Sequence, residues 1–116
     1  MKFLMTYAAD PDAPPPTPEK MAEIGKFTAE MTRSGVVIMT GGLTRPSKGT
    51  HVRFSAGKFK VLDGPFPETK ELIDGFALIN ASSMQEAIEH CHRFMKVAGD
   101  GTGEILSVYD APGAPE

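Results

Sequence analysis

One cysteine, Cys91, is the only thiol in the 116-residue chain. An internal disulfide is excluded, and with it zinc-ribbon and CxxC redox chemistry; this usage fits a reducing cytoplasm, the expected location. Long apolar runs are missing too. The opening MKFLMTYAAD turns acidic and proline-rich after a few apolar residues, too short for a signal-peptide core or a bilayer span, so neither export nor a membrane partner is expected. Nor is there an excess of positive charge. Twelve Lys and Arg stand against 15 Asp and Glu, a formal net charge of −3, which weighs against direct nucleic-acid binding because a phosphate backbone rewards a strongly basic face. The chain has no P-loop, dinucleotide fingerprint, nucleophile elbow or metal-ligand spacing, so no cofactor and no metal is the expectation.

What is present is ordinary globular material: 41% hydrophobic and 23% charged residues. The length suits one two-layer domain over residues 1–111, with 112–116 as a flexible C-terminal tail. Lys2 to Ala8 is apolar on both faces and predicts a covered strand. The proline-rich ADPDAPPPTP is an extended loop that stops at a helix signal, Thr17 as N-cap and Pro18 at the first helical position. Met21, Ile24, Phe27 or Thr28, and Met31 then recur at helical spacing up to Gly35. VVIMTGGL predicts a buried strand. HVRFS and KFKVL around Ala56-Gly57 predict a hairpin with Val52, Phe54, Phe59 and Val61 on one face and His51, Arg53, Lys58 and Lys60 on the other. Leu72 to Ala81 predicts a further strand. Ser82 or Ser83 opens a second helix with a capping box and a stripe of Met84, Ala87, Ile88, Cys91 and Met95. The glycine-rich VAGDGTG ends it, and Glu104 to Asp110 predicts the last strand.

Without the hairpin this order is βαββαβ, the α+β ferredoxin-like plan, with one antiparallel sheet and both helices on one face. Strands apolar on both sides cannot leave the second face in water, so a homodimer with sheets facing each other is expected.

Between the hairpin and the next strand lies Asp63-Gly64-Pro65-Phe66, followed by Glu68-Thr69-Lys70-Glu71 and by Gly75-Phe76 entering the strand. This run resembles the extended motif of the DGPF-domain proteins, which belong to the YCII-related family. The first strand, the Gly-Gly after the second strand and the helix after Ser83 also sit where that family has them, so the resemblance covers nearly the whole chain. It implies a ferredoxin-like subunit that dimerises into an α/β barrel. The family resembles muconolactone isomerase and small monooxygenases in fold, and some relatives carry a His–Asp pair that suggests enzymatic activity. Other DGPF proteins accompany sigma factors of the extracytoplasmic-function type, which implies a regulatory alternative. The histidine of that pair lies on the first helix, where this chain has none, so the pair is not carried over.

Asp63 serves as a general base on a rigid support, or caps the turn through its own backbone; the two roles are compatible. Glu68, Lys70 and Glu71 are either a solvated loop or a binding cluster, since a lysine beside two carboxylates keeps all three charged. From Arg45 to Leu62 there are five Lys or Arg and no acid. A two-residue turn sets Arg53 opposite Lys60, a repulsion that local carboxylates or an anionic substrate would relieve. His51 is the histidine placed for acid–base work, or else an exposed strand residue. Tyr7 and Tyr109 are expected to come close if the first and last strands pair, with Tyr7 a donor to a ligand. Two functional readings result: an enzyme using cofactor-free acid–base chemistry on a small, anionic organic molecule, or a non-catalytic binding module that docks a protein.

Overall fold

The computed structural model describes residues 1–43, 49–64 and 73–109. The elements follow one another as β1 (Lys2–Ala9), α1 (Pro18–Arg33), β2 (Val37–Gly42), β3 (Thr50–Ser55), β4 (Lys58–Asp63), β5 (Gly75–Asn80), α2 (Met84–Ala98) and β6 (Gly101–Ser107). Two sheets result, one of four strands in the order β2-β5-β1-β6 and one of two strands, β3-β4. All pairings are antiparallel. Element order and strand order are compatible with an α+β ferredoxin-like fold carrying an inserted hairpin.

The local signals act as the sequence predicts. Thr17 caps α1, its hydroxyl accepting from Lys20 N–H at 3.1 Å, with Pro18 just inside the helix. At the far end Gly35 takes φ +86°, and the bonds Gly35 N–H to Thr32 O and Val36 N–H to Met31 O close a Schellman-type stop. Ser83 caps α2 by accepting from Glu86 N–H at 3.2 Å. Glu86 reaches back to Ser82, accepting from both its N–H and its hydroxyl. Those bonds, with the His90 imidazole nearby, lower the Glu86 carboxyl pKa below its usual value.

The last strand begins at Gly101, three residues before the predicted Glu104. Only Gly99, at φ +107°, belongs to the helix stop. Gly101 is a strand residue that must lack a side chain, and Gly103 one that has little room for it. A Cβ on Gly103 would stand 3.0 Å from Cys91 Sγ of α2, and one on Gly101 would meet the Tyr7 ring and the Ala8 carbonyl. Glycine here lets a helix and a ring lie against the strand. Ile73 lies before β5, which starts at Gly75; Leu72 is outside the described residues.

Phe3, Met5, Ala77, Ile79, Ala81, Ala87 and Cys91 form the core between sheet and helices. Of α1 only Met31 is buried, while Ile24, Phe27 and Thr28 are half-buried and Met21 is exposed. The helix therefore packs at its C-terminal end and stands off the sheet along the rest. On the opposite sheet face the register aligns Met39, Leu78, Leu4 and Leu106 in one row across all four strands. Met39 is 60% exposed and Leu106 49%.

Candidate functional site

The space beneath α1 is a cleft of about 1130 Å³ between that helix, the helix-facing side of the sheet and the proline loop after β1. Its walls are mostly apolar: Met21, Ile24, Phe27 and Met31 from α1, Met5, Ala77 and Ile79 from the sheet, and Phe94 from α2. Phe94 packs edge-on against Tyr7, with ring centroids 5.3 Å apart, and tilts against Phe27 at 6.3 Å.

One end of the cleft is polar, for a reason set by strand direction. The end of β1, the start of β5 and the start of β6 meet at the same sheet edge, because Tyr7 pairs with Gly75 on one side and with Gly103 on the other. The residues just outside those three strand ends are Asp10, Asp74 and Asp100, and all three line the cleft. Backbone bonds hold them. Asp10 N–H donates to Asp100 O at 3.1 Å and Asp74 N–H to Tyr7 O at 2.8 Å. Asp74 Oδ2 accepts from Ala9 N–H at 2.7 Å. Lys20 Nζ also lies at the cleft and donates to Val97 O at 2.9 Å, near the C-terminus of α2, where a cation meets the helix dipole favourably.

Tyr7 is the centre of this end. Its hydroxyl donates to Gly99 O at 2.8 Å, with Asp100 O at 3.2 Å. Burial pushes its phenol pKa upward, and the negative charges of Asp10, Asp74 and Asp100 push it the same way. The phenol thus keeps its proton, and with that proton spent on the carbonyls its oxygen has only acceptor capacity left.

The structure divides the residues singled out from sequence. Tyr7 lines the cleft, whereas Asp63, His51, Arg53 and Lys60 belong to the hairpin, none of whose residues lines it. Asp63 accepts from the Thr50 hydroxyl at 3.0 Å across the open end of the hairpin. Arg53 does lie opposite Lys60, and Val52, Phe54, Phe59 and Val61 share a face; every residue of both strands is exposed. Glu68, Lys70 and Glu71 lie outside the described residues, as do Arg45, Pro65, Phe66 and the tail at 112–116. Tyr109 is not near Tyr7. The antiparallel pairing sets Phe3 opposite Ser107 and Val108 N–H against Lys2 O, so Tyr109 sits at the other end of β1, about 20 Å away at strand rise.

Sequence reasoning missed Asp10, Asp74 and Asp100. The available signal was an aspartate just outside each of three strands, legible only once their directions are known. His90 of α2 also reaches the cleft lining, held between Arg93 and Glu86. Cys91 is buried, and burial raises its thiol pKa. Among the described residues no group of three His, Cys, Asp or Glu could hold a metal ion, and no helix is long and apolar enough to cross a membrane.

Comparison with known proteins places these features in a family context. The family model for the YCII-related domain matches residues 1–111. An uncharacterized protein of Rhizobium meliloti (strain 1021) is 32% identical over 83 residues, 72% of this chain. The match takes in 66% of that protein, just under two thirds of its length.

Proposed function

We propose that this chain, which belongs to the YCII-related family, is a homodimeric cytoplasmic protein that binds a small organic molecule in the cleft under α1 and acts on it by cofactor-free acid–base chemistry. The observation that carries this reading is the cleft itself: a large apolar cavity with a few convergent polar groups at one end is the usual form of a small-molecule site. Within it Asp74 and Asp10 are bases within reach of a bound molecule, and Tyr7 orients it. Asp63 and His51 would join this chemistry only from a hairpin brought up by a second subunit.

The dimer is supported by the row Met39–Leu78–Leu4–Leu106 on the helix-free sheet face, since two such rows packed together remove both from water. Closing two sheets in this way gives the α/β barrel. The test of the site is binding of a fragment collection, followed by backbone amide shifts. Hits that move Tyr7, Phe94 and Asp74, and that are weakened in Thr28→Trp, which narrows the cleft, support it. Hits confined to the hairpin would sink it.

A second reading, a non-catalytic docking module for a protein such as an extracytoplasmic-function sigma factor, is favoured by the hairpin. Its apolar face is bare, with Phe54 63% and Phe59 77% exposed. Its other face sets Arg53 against Lys60 with no ion pair to either among the described residues. An acidic, partly apolar partner would cover both. Capture of such a protein by the wild-type chain, lost in Phe54→Ser/Phe59→Ser while ligand binding in the cleft persists, would favour this reading.

A further inference from the structure

We infer that the cleft takes a protonated primary or secondary amine carried on an apolar body, with the amine at the Tyr7 end and the body lying between α1 and the sheet. The inference rests on the reading that the cleft is the ligand site and adds the chemical class of the ligand.

The apolar body follows from the walls, where Met21, Ile24 and Phe27 of α1 face the sheet across open space. The amine follows from what the polar end can offer. Tyr7, which lines the cleft, has one proton and donates it to backbone carbonyls, so any further hydrogen bond it makes is one its oxygen accepts. The aspartates are acceptors when ionised. A ligand meeting Tyr7 and these carboxylates must bring donors.

Charge points the same way. Among the described residues, the acidic and basic lining consists of Asp10, Asp12, Asp100 and Asp74, the last already accepting from Ala9 N–H, against Lys20 and His90. The Lys20 ammonium is turned to the Val97 carbonyl, and His90 is held by Arg93 and Glu86. A carboxylate or phosphate placed here would meet like charges. A cation meets opposite ones and, beside them, the aromatic cluster of Tyr7, Phe94 and Phe27, whose ring faces attract cations. The basic residues that suggested an anionic substrate, Arg53 and Lys60, do not line this cleft.

The decisive experiment compares probes that differ only in the head group: dodecylamine, dodecanol and dodecanoate. Each is titrated calorimetrically into the wild-type protein at pH 7 below its micelle concentration, and no variant is needed for this comparison. The expected order is amine, then alcohol, then carboxylate, with at least tenfold between first and last and an advantage that shrinks as salt is raised. Asp10→Asn/Asp100→Asn should reduce the amine's lead severalfold and leave dodecanol unchanged. Dodecanoate binding as tightly as dodecylamine overturns the amine inference while the cleft remains the ligand site. Failure of all three probes to bind, or binding that Thr28→Trp does not weaken, overturns both.

Discussion

The ring of Tyr7 lies where a side chain on Gly101 would begin: a Cβ at that position would stand 2.8 Å from two of the ring's carbons. The same ring sends its hydroxyl to Gly99 O. Tyr7 is thus fixed from two sides by the turn between α2 and β6, and the polar end of the cleft is fixed with it.

Gly101→Ala is therefore expected to cost about 2–3 kcal/mol, since the added methyl group meets the ring and backbone of the neighbouring strand. Urea denaturation should show the loss. Gly25→Ala, which places its Cβ in open space on an exposed helix face, should instead stabilise by a few tenths to about 1 kcal/mol.

Tyr7 should make stability fall at high pH. Its folded pKa stands above the unfolded value of 10.0, so near and above pH 10 the unfolded chain releases the phenolic proton that the folded chain still holds. Stability from this group is full below pH 10 and is lost as pH rises through the folded value. Absorbance at the phenolate band should show a late-titrating tyrosine that disappears in Tyr7→Phe, together with part of the alkaline destabilisation. An unchanged titration curve in Tyr7→Phe would refute this.

Leu106→Glu places a charge in the exposed row on the helix-free face. In a sheet-to-sheet dimer each subunit would then bury an unpaired carboxylate, and the dimer constant should weaken at least a hundredfold. Sedimentation should find monomers with unchanged far-ultraviolet dichroism. A dimer that persists would place the interface elsewhere.

The hairpin offers a local test. Arg53→Glu turns a repelling cross-strand pair with Lys60 into an attracting one, worth about 0.2–1 kcal/mol. Slower hydrogen exchange at the β3 and β4 amides, with no change in dodecylamine binding, is the expected result.

Cys91 is 6% exposed and its thiol pKa is raised by burial. Its reaction with an aromatic disulfide reagent at pH 8 should be slow in the folded protein and become rapid in denaturant.

Much of this fold is legible locally. Thr17, Pro18 and Gly35 bracket α1, Ser83 and Glu86 open α2, and Ala56-Gly57 turns the hairpin with φ of +51° and +75°. Each of these signals works within a few residues, through a cap bond or a backbone angle, so reading the chain in order recovers it. The glycines after α2 read differently in sequence and in structure because their reason is not local. Gly101 and Gly103 look like a loop until Tyr7 and Cys91 are placed beside them.

The candidate site shows the same division more sharply. Asp63 and His51 stand out in the chain because a motif and a histidine draw attention, yet strand pairing keeps both on an arm away from the cleft. Asp10, Asp74 and Asp100 are dispersed over ninety residues and carry no motif in common. Antiparallel pairing brings three strand ends to one edge, and with them three carboxylates around one phenol. Residue order therefore specifies the helices, the hairpin and the two-sided strands, because propensity, capping and periodicity are short-range. Which charged groups face the same cavity depends on strand direction and register, and those exist only once distant segments have paired.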